Sequence, residues 1–244
     1  MAYQSHFRRY EIKYLLTQEE KARVLAAMEP YMVLDQYGRT TVRNLYYDTD
    51  NYRLIRRSLE KPVYKEKLRL RSYTQAQPDS PVFVELKKKY NGVVYKRRIR
   101  LPEQTATAWL DRGVHWEKTG QIVQEIDYFL DYYGSLRPRV FLAYDREAYY
   151  CRDGSDFRVT FDDRILCRRD RLSLCCEPDG ISLLAPGQVL MEVKTAGGIP
   201  LWMCRVLTRE GIRKTSFSKY GKAYETMIFT GGYDYAGNNF SGTV

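Results

Sequence analysis

The sequence has few histidines and no paired cysteines. His6 and His115 are its only histidines, so a histidine-rich metal site or a conventional nucleophile and histidine pair has little to draw on. The five cysteines are odd in number and show no CxxC pair or metal-ligand spacing, which is typical of reduced thiols in a cytosolic protein. We therefore expect neither a disulfide framework nor histidine chemistry.

Long apolar runs are also missing. No stretch approaches the roughly 18 uninterrupted apolar residues that a membrane-spanning helix needs. Residues 1–9 lack the apolar core of a signal peptide. We expect a cytoplasmic protein that would associate with a membrane only through a partner.

The composition favours a folded, basic protein of 244 residues. Hydrophobic residues make up 44% and aromatic residues 14% of the chain, which is enough for a sizeable core, so we expect a single domain over residues 1–230. Residues 231–244 are rich in Gly and Asn without periodicity, and we expect a disordered tail there. The net charge of +10 predicts an anionic partner, namely nucleic acid, a membrane surface or a phosphate chain.

Three short basic strands are predicted at residues 65–71, 82–87 and 94–100. In the first, a period of two places alternate residues on one face, and these are Lys65, Lys67, Arg69 and Arg71. Four like charges on one strand face repel one another, so this face should meet an anion or stay in water. The pair Asn91-Gly92 predicts a hairpin that makes the second and third strands antiparallel neighbours.

The rest of the chain alternates irregularly between strands and helices. Further strands are predicted at residues 7–16, 40–49, 139–150, 157–163 and 189–194, and helices at residues 17–30, 102–113, 119–134, 201–213 and 219–229. Thr17 followed by acidic residues is a helix-capping signal. Eight strands joined mostly by hairpins predict a mainly β, α+β fold, in which an antiparallel sheet closes into a barrel flanked by helices.

If the sheet closes, one face of every strand points into a shared lumen. The basic residues on that face would require anions inside. They are Lys13, Arg69, Arg71, Lys87, Lys96, Arg146 and Arg158. Glu11, Glu85 and Glu192 would supply oxygen ligands for Mg²⁺ or Mn²⁺, which bridges carboxylates and phosphate oxygens.

Eight motifs, in one order, resemble the vacuolar transporter chaperone (VTC) domain of the triphosphate tunnel metalloenzyme superfamily, a CYTH-like group. They are Lys13-Tyr14, Leu68-Arg69-Leu70-Arg71, Phe83-Val84-Glu85-Leu86-Lys87, Lys96, Tyr144-Asp145-Arg146, Arg158, Glu192-Val193-Lys194 and Phe217-Ser218-Lys219. The resemblance spans residues 7 to about 228. Arg9 stands where the superfamily has its first glutamate, and Ser216 where relatives can carry a second lysine.

The resemblance implies an eight-stranded closed tunnel that binds ATP, triphosphate and polyphosphate. It implies a polyphosphate polymerase that transfers the terminal phosphate of ATP to a growing chain. The catalytic residues would be Lys13, Arg69, Arg71, Lys87, Lys96, Arg146, Arg158 and Lys219. Arg69, Arg71, Lys87, Lys96 and Lys194 would contact the nucleotide, and Glu192, supported by Glu11 and Glu85, would hold Mn²⁺ or Mg²⁺. If product is translocated, we expect a separately encoded membrane protein.

Two other functions are compatible with the same residues. A triphosphatase or polyphosphate hydrolase would keep the site and use water as the acceptor. A non-catalytic module would bind polyphosphate or nucleic acid, since basic strands with interleaved tyrosines also suit single strands. Carboxylates in the tunnel would weaken pure anion binding, which makes nucleic acid the less favoured partner. Lys65, Lys67 and Lys88 are expected at the tunnel mouth or in solvent.

Overall fold

The computed structural model describes residues 10–91, 93–115 and 120–229. The strands are β1 (Tyr10–Thr17), β2 (Met32–Leu34), β3 (Thr40–Asp48), β4 (Tyr64–Ser72), β5 (Pro81–Tyr90), β6 (Val93–Pro102), β7 (Arg137–Cys151), β8 (Arg158–Arg168), β9 (Ile181–Ser182), β10 (Gln188–Thr195) and β11 (Lys214–Thr215). The helices are α1 (Gln18–Met28), α2 (Arg53–Leu59), α3 (Glu103–Arg112), α4 (Gln121–Tyr133), α5 (Leu201–Arg209) and α6 (Lys219–Tyr224), which continues as a π-helical turn at Glu225–Phe229. The predicted tail at residues 231–244 lies outside the described residues.

All these strands belong to one sheet, in the order β11-β1-β10-β8-β7-β3-β4-β5-β6, with β2 added beside β7 and β9 beside β8. Every pairing is antiparallel. The predicted antiparallel sheet with flanking helices is therefore confirmed. Within the described residues no backbone pairing joins β6 to β1 or β11, so the predicted closure of eight strands into a barrel is not confirmed.

Side chains nevertheless meet across the inside of the sheet. Lys87 Nζ on β5 lies 3.4 Å from Glu11 Oε2 on β1, although five strands separate β1 from β5 in the sheet order. Such a contact requires strong curvature, which follows from the twist of antiparallel strands. The sheet thus curls around a lumen, and among the described residues its edge strands β6 and β11 do not pair.

Two apolar cores cover the outer face of the sheet. One packs the leucines and valines of β4 and β5 against α3 and α4, with the fully buried Trp109 of α3 near its centre. The other packs β1, β8 and β10 against α1 and α5. α1 begins with a capping box, in which Thr17 Oγ1 accepts from the amide of Glu20 and the Glu20 carboxylate accepts from the amide of Thr17, as predicted.

A third core fills one part of the inner face. α2 and α6 pack against β3 and β7 there, and Tyr220 of α6 stacks on Tyr46 of β3 with ring centroids 4.5 Å apart. α2 was not predicted from the sequence. No helix among the described residues is long and apolar enough to cross a membrane. The inner face is thus apolar under α2 and α6 and charged elsewhere.

Candidate functional site

The charged part of the inner face follows from strand alternation. In the paired strands β4, β5 and β6, Arg69 lies opposite Glu85, which lies opposite Arg98. Two residues further along each strand, Lys67 lies opposite Lys87, which lies opposite Lys96. Because alternate residues share a face, these rows stand side by side in the lumen while the intervening leucines and valines enter the outer core.

Glu85 is the centre of the first cluster of charges. Its carboxylate is fully buried and forms ion pairs with Arg69 at 2.6 Å, Lys96 at 2.6 Å, Arg98 at 3.3 Å and Arg71 at 3.9 Å. Burial alone would raise the pKa of Glu85, but these cations outweigh it and hold the pKa well below its ordinary value. A permanently ionised carboxylate therefore fixes four cations that would otherwise repel one another.

Glu192 and Asp162 form the centre of a second cluster. Glu192 contacts Lys219 at 3.1 Å, Lys194 at 3.3 Å, and Lys13 and Arg146 at 3.5 Å each. Arg146 also makes a bidentate pair with the fully buried Asp162, with its Nε at 2.6 Å and Nη2 at 2.7 Å from the two carboxylate oxygens. Burial would raise the pKa of Glu192, but Lys219 and the other cations hold it well below the ordinary value.

Tyr144 connects the two clusters. Its hydroxyl accepts a hydrogen bond of 3.0 Å from Arg71, and its ring lies under Arg146 and Lys219 at 5.0 and 4.6 Å. Arg71 is further fixed by a 2.8 Å hydrogen bond from its Nε to the side-chain oxygen of Asn44. The guanidinium groups are thus preorganised, which suits bidentate binding of phosphate oxygens.

Glu11 and Lys13 of β1 lie between the second cluster and Lys87 of β5, on the other side of the lumen. Lys13 Nζ is 3.6 Å from Glu11 Oε1 and donates to the carbonyl oxygen of Phe217 at 2.7 Å. Burial would raise the pKa of Glu11, yet Lys87 and other lysines lower it to about 2 despite the repulsion of Glu192. Glu11 is therefore an ionised carboxylate close to Glu192.

Arg158 and Lys194 mark one end of this charged surface. They are paired across β8 and β10, and the guanidinium of Arg158 lies 4.7 Å from the centre of the exposed Tyr150 ring. The structure therefore brings together the predicted lumen residues of β1, β4, β5, β6, β7, β8, β10 and α6 on one face. Their roles as phosphate and metal ligands stay predictions.

Lys67 departs from its predicted position. We expected it at the tunnel mouth or in solvent, but its ammonium is half-buried in the lumen, donates to Ser218 Oγ at 3.1 Å and lies 5.8 Å from the centre of the Tyr220 ring. Burial and four neighbouring cations lower the pKa of Lys67 to about 7. The sequence could not show that α6 would fold back over this part of β4.

The three predicted metal ligands do not converge on one point. Among the described residues, no group of three His, Cys, Asp or Glu side chains is arranged to hold a metal ion. Glu85 is engaged by arginines and lysines, whereas Glu11 and Glu192 share the ammonium of Lys13. Magnesium commonly uses one or two carboxylates and completes its shell with water and substrate phosphates, so the Glu11 and Glu192 pair fits such an ion.

Sequence reasoning missed three residues of the site. Asp162 and Arg98 each sit at an even spacing from a predicted residue, four after Arg158 and two after Lys96, so strand periodicity could have found them. Tyr144 was quoted only as part of a motif. Its role as the connection between clusters depends on contacts between distant strands, which no local pattern encodes.

Comparison with known families identifies the fold and the family. The family model of the VTC domain matches residues 8–228, nearly the whole chain. The chain belongs to the VTC domain family. The resemblance noted in the sequence is thus confirmed, and this VTC domain carries the charged residues of those motifs described above.

Solved structures share the fold of this VTC domain at low identity. A candidate adenylate cyclase from Bacillus halodurans matches with a TM-score of 0.54 and 15% identity, covering 86% of this chain and 95% of that one. A candidate adenylyl cyclase from Hippeastrum, described as having a dominant triphosphatase activity, matches with a TM-score of 0.52 and 16% identity, covering 88% and 94%. The search of curated proteins returned no match.

Proposed function

We propose that this VTC domain is a metal-dependent polyphosphate polymerase, which transfers the terminal phosphate of ATP to the end of a polyphosphate chain in the lumen. The proposal rests on one observation above all: cations from β1, β4, β6, β7, β10 and α6 surround the buried carboxylates Glu85, Asp162 and Glu192. The cations outnumber these carboxylates, so the lumen has an excess of positive charge for a polyanion.

The proposed chemistry needs no side-chain nucleophile. Transfer of a phosphoryl group depends mainly on holding donor and acceptor in line and on neutralising the charge of the transferred group. Arg69, Arg71 and Arg146 would bind the triphosphate of ATP through paired N–H groups, and their carboxylate, amide and tyrosine partners hold these guanidinium groups in place. Lys13, Lys87, Lys96 and Lys219 would supply point charges beside the phosphates.

Glu192 and Glu11 would hold the divalent ion together with phosphate oxygens. A bound Mg²⁺ or Mn²⁺ supplies positive charge that bridges phosphate oxygens of the substrate. Both carboxylates are ionised well below neutral pH, so protonation would not compete with the metal near pH 7. We assign Glu85 instead to positioning Arg69, Arg71, Lys96 and Arg98.

A triphosphatase is the second candidate, because the Hippeastrum relative with this fold has a dominant triphosphatase activity. It would use the same cations and metal ligands and pass the phosphoryl group to water. In either case ATP, triphosphate and polyphosphate are the proposed ligands. We also propose a cytoplasmic location, with any translocation of product left to a separate membrane protein.

Incubation of the purified protein with ATP and Mn²⁺ or Mg²⁺, followed by gel sizing of phosphate polymer, tests the proposal. A polymerase yields a ladder of chains that lengthens with time. Orthophosphate without chains, released from ATP or tripolyphosphate, would identify a hydrolase. Binding of polyphosphate without any consumption of ATP would identify a non-catalytic module.

A further inference from the structure

A row of lysines extends the lumen beyond the two carboxylate clusters. Lys65 lies opposite Lys89 across β4 and β5, next to the pair of Lys67 and Lys87. Lys65 Nζ donates to the carbonyl oxygen of Ser58 at 3.3 Å, and Lys67 Nζ to the hydroxyl of Ser218. Within residues 10–91, 93–115 and 120–229, no carboxylate forms an ion pair with Lys65, Lys67 or Lys89.

The nearest acidic residue in sequence cannot neutralise this row. Glu66 lies between Lys65 and Lys67, so strand alternation turns it to the other face. There its carboxylate accepts hydrogen bonds from the hydroxyls of Tyr133 at 2.7 Å and Tyr64 at 2.5 Å. Among the described residues, the lysine row therefore has no counter-ion.

This arrangement costs free energy in the absence of an anion. Like charges directly opposite each other on neighbouring strands are destabilising. Burial and the charges of Lys89, Lys61 and Lys87 lower the pKa of Lys65. The repulsion between like charges therefore acts on Lys65 as well as on Lys67. A linear polyanion laid along the row would remove the repulsion.

We propose that Lys65, Lys67 and Lys89 form an acceptor-chain site, which binds linear polyphosphate where it leaves the arginine-rich clusters. This role rests on the proposed polymerase function. From Arg71 to Lys65 the lumen face of β4 extends about 20 Å, at about 3.3 Å per residue, so the two arginines and the lysine row together can contact several phosphate units at once.

The change from arginine to lysine along β4 supports this assignment. Arg69 and Arg71 are held by Glu85, Tyr46, Asn44 and Tyr144, which suits one fixed phosphate position. Lys65 and Lys67 instead donate to neutral oxygens of Ser58 and Ser218 and have no carboxylate partner among the described residues, so they act as flexible point charges. A growing chain must advance after each transfer, and contacts that do not depend on direction allow it to slide.

Isothermal titration with two ligands tests the acceptor-chain site. The double variant Lys65→Ala/Lys89→Ala should bind long-chain polyphosphate about tenfold more weakly, while its affinity for tripolyphosphate changes by a smaller factor. The dependence of log affinity on log salt should fall by about 1 for each lysine removed. Lys88→Ala is the matched control, because Lys88 is adjacent to Lys89 but lies opposite Glu66 on the other strand face.

An equal loss of affinity for both ligands, or an equal effect of Lys88→Ala, would overturn the inference. A shared melting temperature for wild type and variants verifies that folding is intact. Because the measurement is of binding, it tests the acceptor-chain site even if the wild-type protein forms no polymer. Failure of the proposed function and failure of the site are thus separate results.

Discussion

Each buried carboxylate of the lumen holds cations in positions that they would not keep alone. Glu85 has four basic partners and lies apart from the proposed metal ligands, whereas Glu192 has four basic partners and lies close to Glu11. The sequence predicted both residues as metal ligands because it could not show which cations surround each one. At the residue scale, the same side-chain type therefore serves two purposes.

Glu192→Gln should separate turnover from binding. Loss of the charge removes a proposed metal ligand, so we expect the rate of polymer formation to fall by about 10²- to 10³-fold. The substitution also releases Lys13, Lys194 and Lys219 from their ion pairs, so metal-free affinity for tripolyphosphate should stay equal or increase. Rate assays and titration calorimetry measure the two effects.

Glu125→Gln is the control for that substitution, because Glu125 pairs with Arg97 on the outside of the molecule at 3.0 Å. It should change neither quantity. A proportional loss of binding and turnover in Glu192→Gln would remove Glu192 from the metal role.

Lys67 should make phosphate binding depend on pH. Its pKa of about 7 in the folded protein lies below that of the unfolded chain, so between about pH 7 and 10 the unfolded state binds more protons and the free energy of unfolding rises with pH. Anion binding needs the protonated form, so affinity for tripolyphosphate should fall over the same range. The two quantities should therefore change in opposite directions.

Lys67→Arg isolates this effect because arginine stays protonated. Comparing variant and wild type at each pH between 6 and 9 cancels the titration of the ligand. The ratio of wild-type to variant affinity should decline as pH rises, and a constant ratio would show that Lys67 does not titrate in this range.

At the scale of elements, strand periodicity and capping signals predicted the long strands and most helices, because their information is local. β4, β5 and β6 and the capping box of α1 agree with the sequence interpretation. α2 was missed because its amide groups are capped from a distance. Asp48 at the end of β3 accepts from the amides of Leu54 and Ile55, and Tyr52 before the helix has a left-handed φ of 57°.

The residues of the site also divide into those that local patterns predict and those that they do not. Alternation along single strands gave Lys13, Arg69, Arg71 and Lys87 as lumen residues. It could not give the depth of Lys67, which depends on α6, or the connection through Tyr144, which depends on the curvature of the sheet. Closure of the barrel was inferred from the number of strands and their hairpin connections, but edge pairing depends on the geometry of the whole sheet.

Asp48→Asn should lower the stability of the third core, in which α2 and α6 pack against β3 and β7. The fully buried Asp48 carboxylate also accepts from the Tyr220 hydroxyl at 2.9 Å, so it ties α2 and α6 to β3. An amide in its place presents N–H groups to N–H donors, and we expect a loss of about 2–3 kcal/mol, or roughly 5–10 °C in melting temperature. Calorimetry measures this, and Asp50→Asn, on a side chain 80% exposed, should shift the melting temperature by less than 2 °C, about 0.5 kcal/mol.

At the scale of the whole molecule, the curled sheet concentrates positive charge on one part of its inner face and has two of its three apolar cores on its outer face. The net charge of +10 is thus partly a property of one internal surface. A protein built this way should be stabilised by the polyanion that it binds, because only the folded state assembles the lumen.

Tripolyphosphate should therefore raise the melting temperature. At about 100 times its dissociation constant a ligand adds about 2.7 kcal/mol, which corresponds to roughly 5–10 °C for a chain of this size. Added NaCl should reduce the shift, since it screens the charges. Orthophosphate at equal concentration should have a smaller effect, and an equal effect would mean that the lumen does not select for chain length.

Transfer of the terminal phosphate itself is the most direct test of the central claim. The purified protein is incubated with Mn²⁺ or Mg²⁺, ATP labelled in its γ-phosphate, and unlabelled polyphosphate. We predict that label enters the end of the polyphosphate chain and that Glu192→Gln slows this by about 10²- to 10³-fold. Label recovered only as orthophosphate, or label that stays in ATP, would contradict the account.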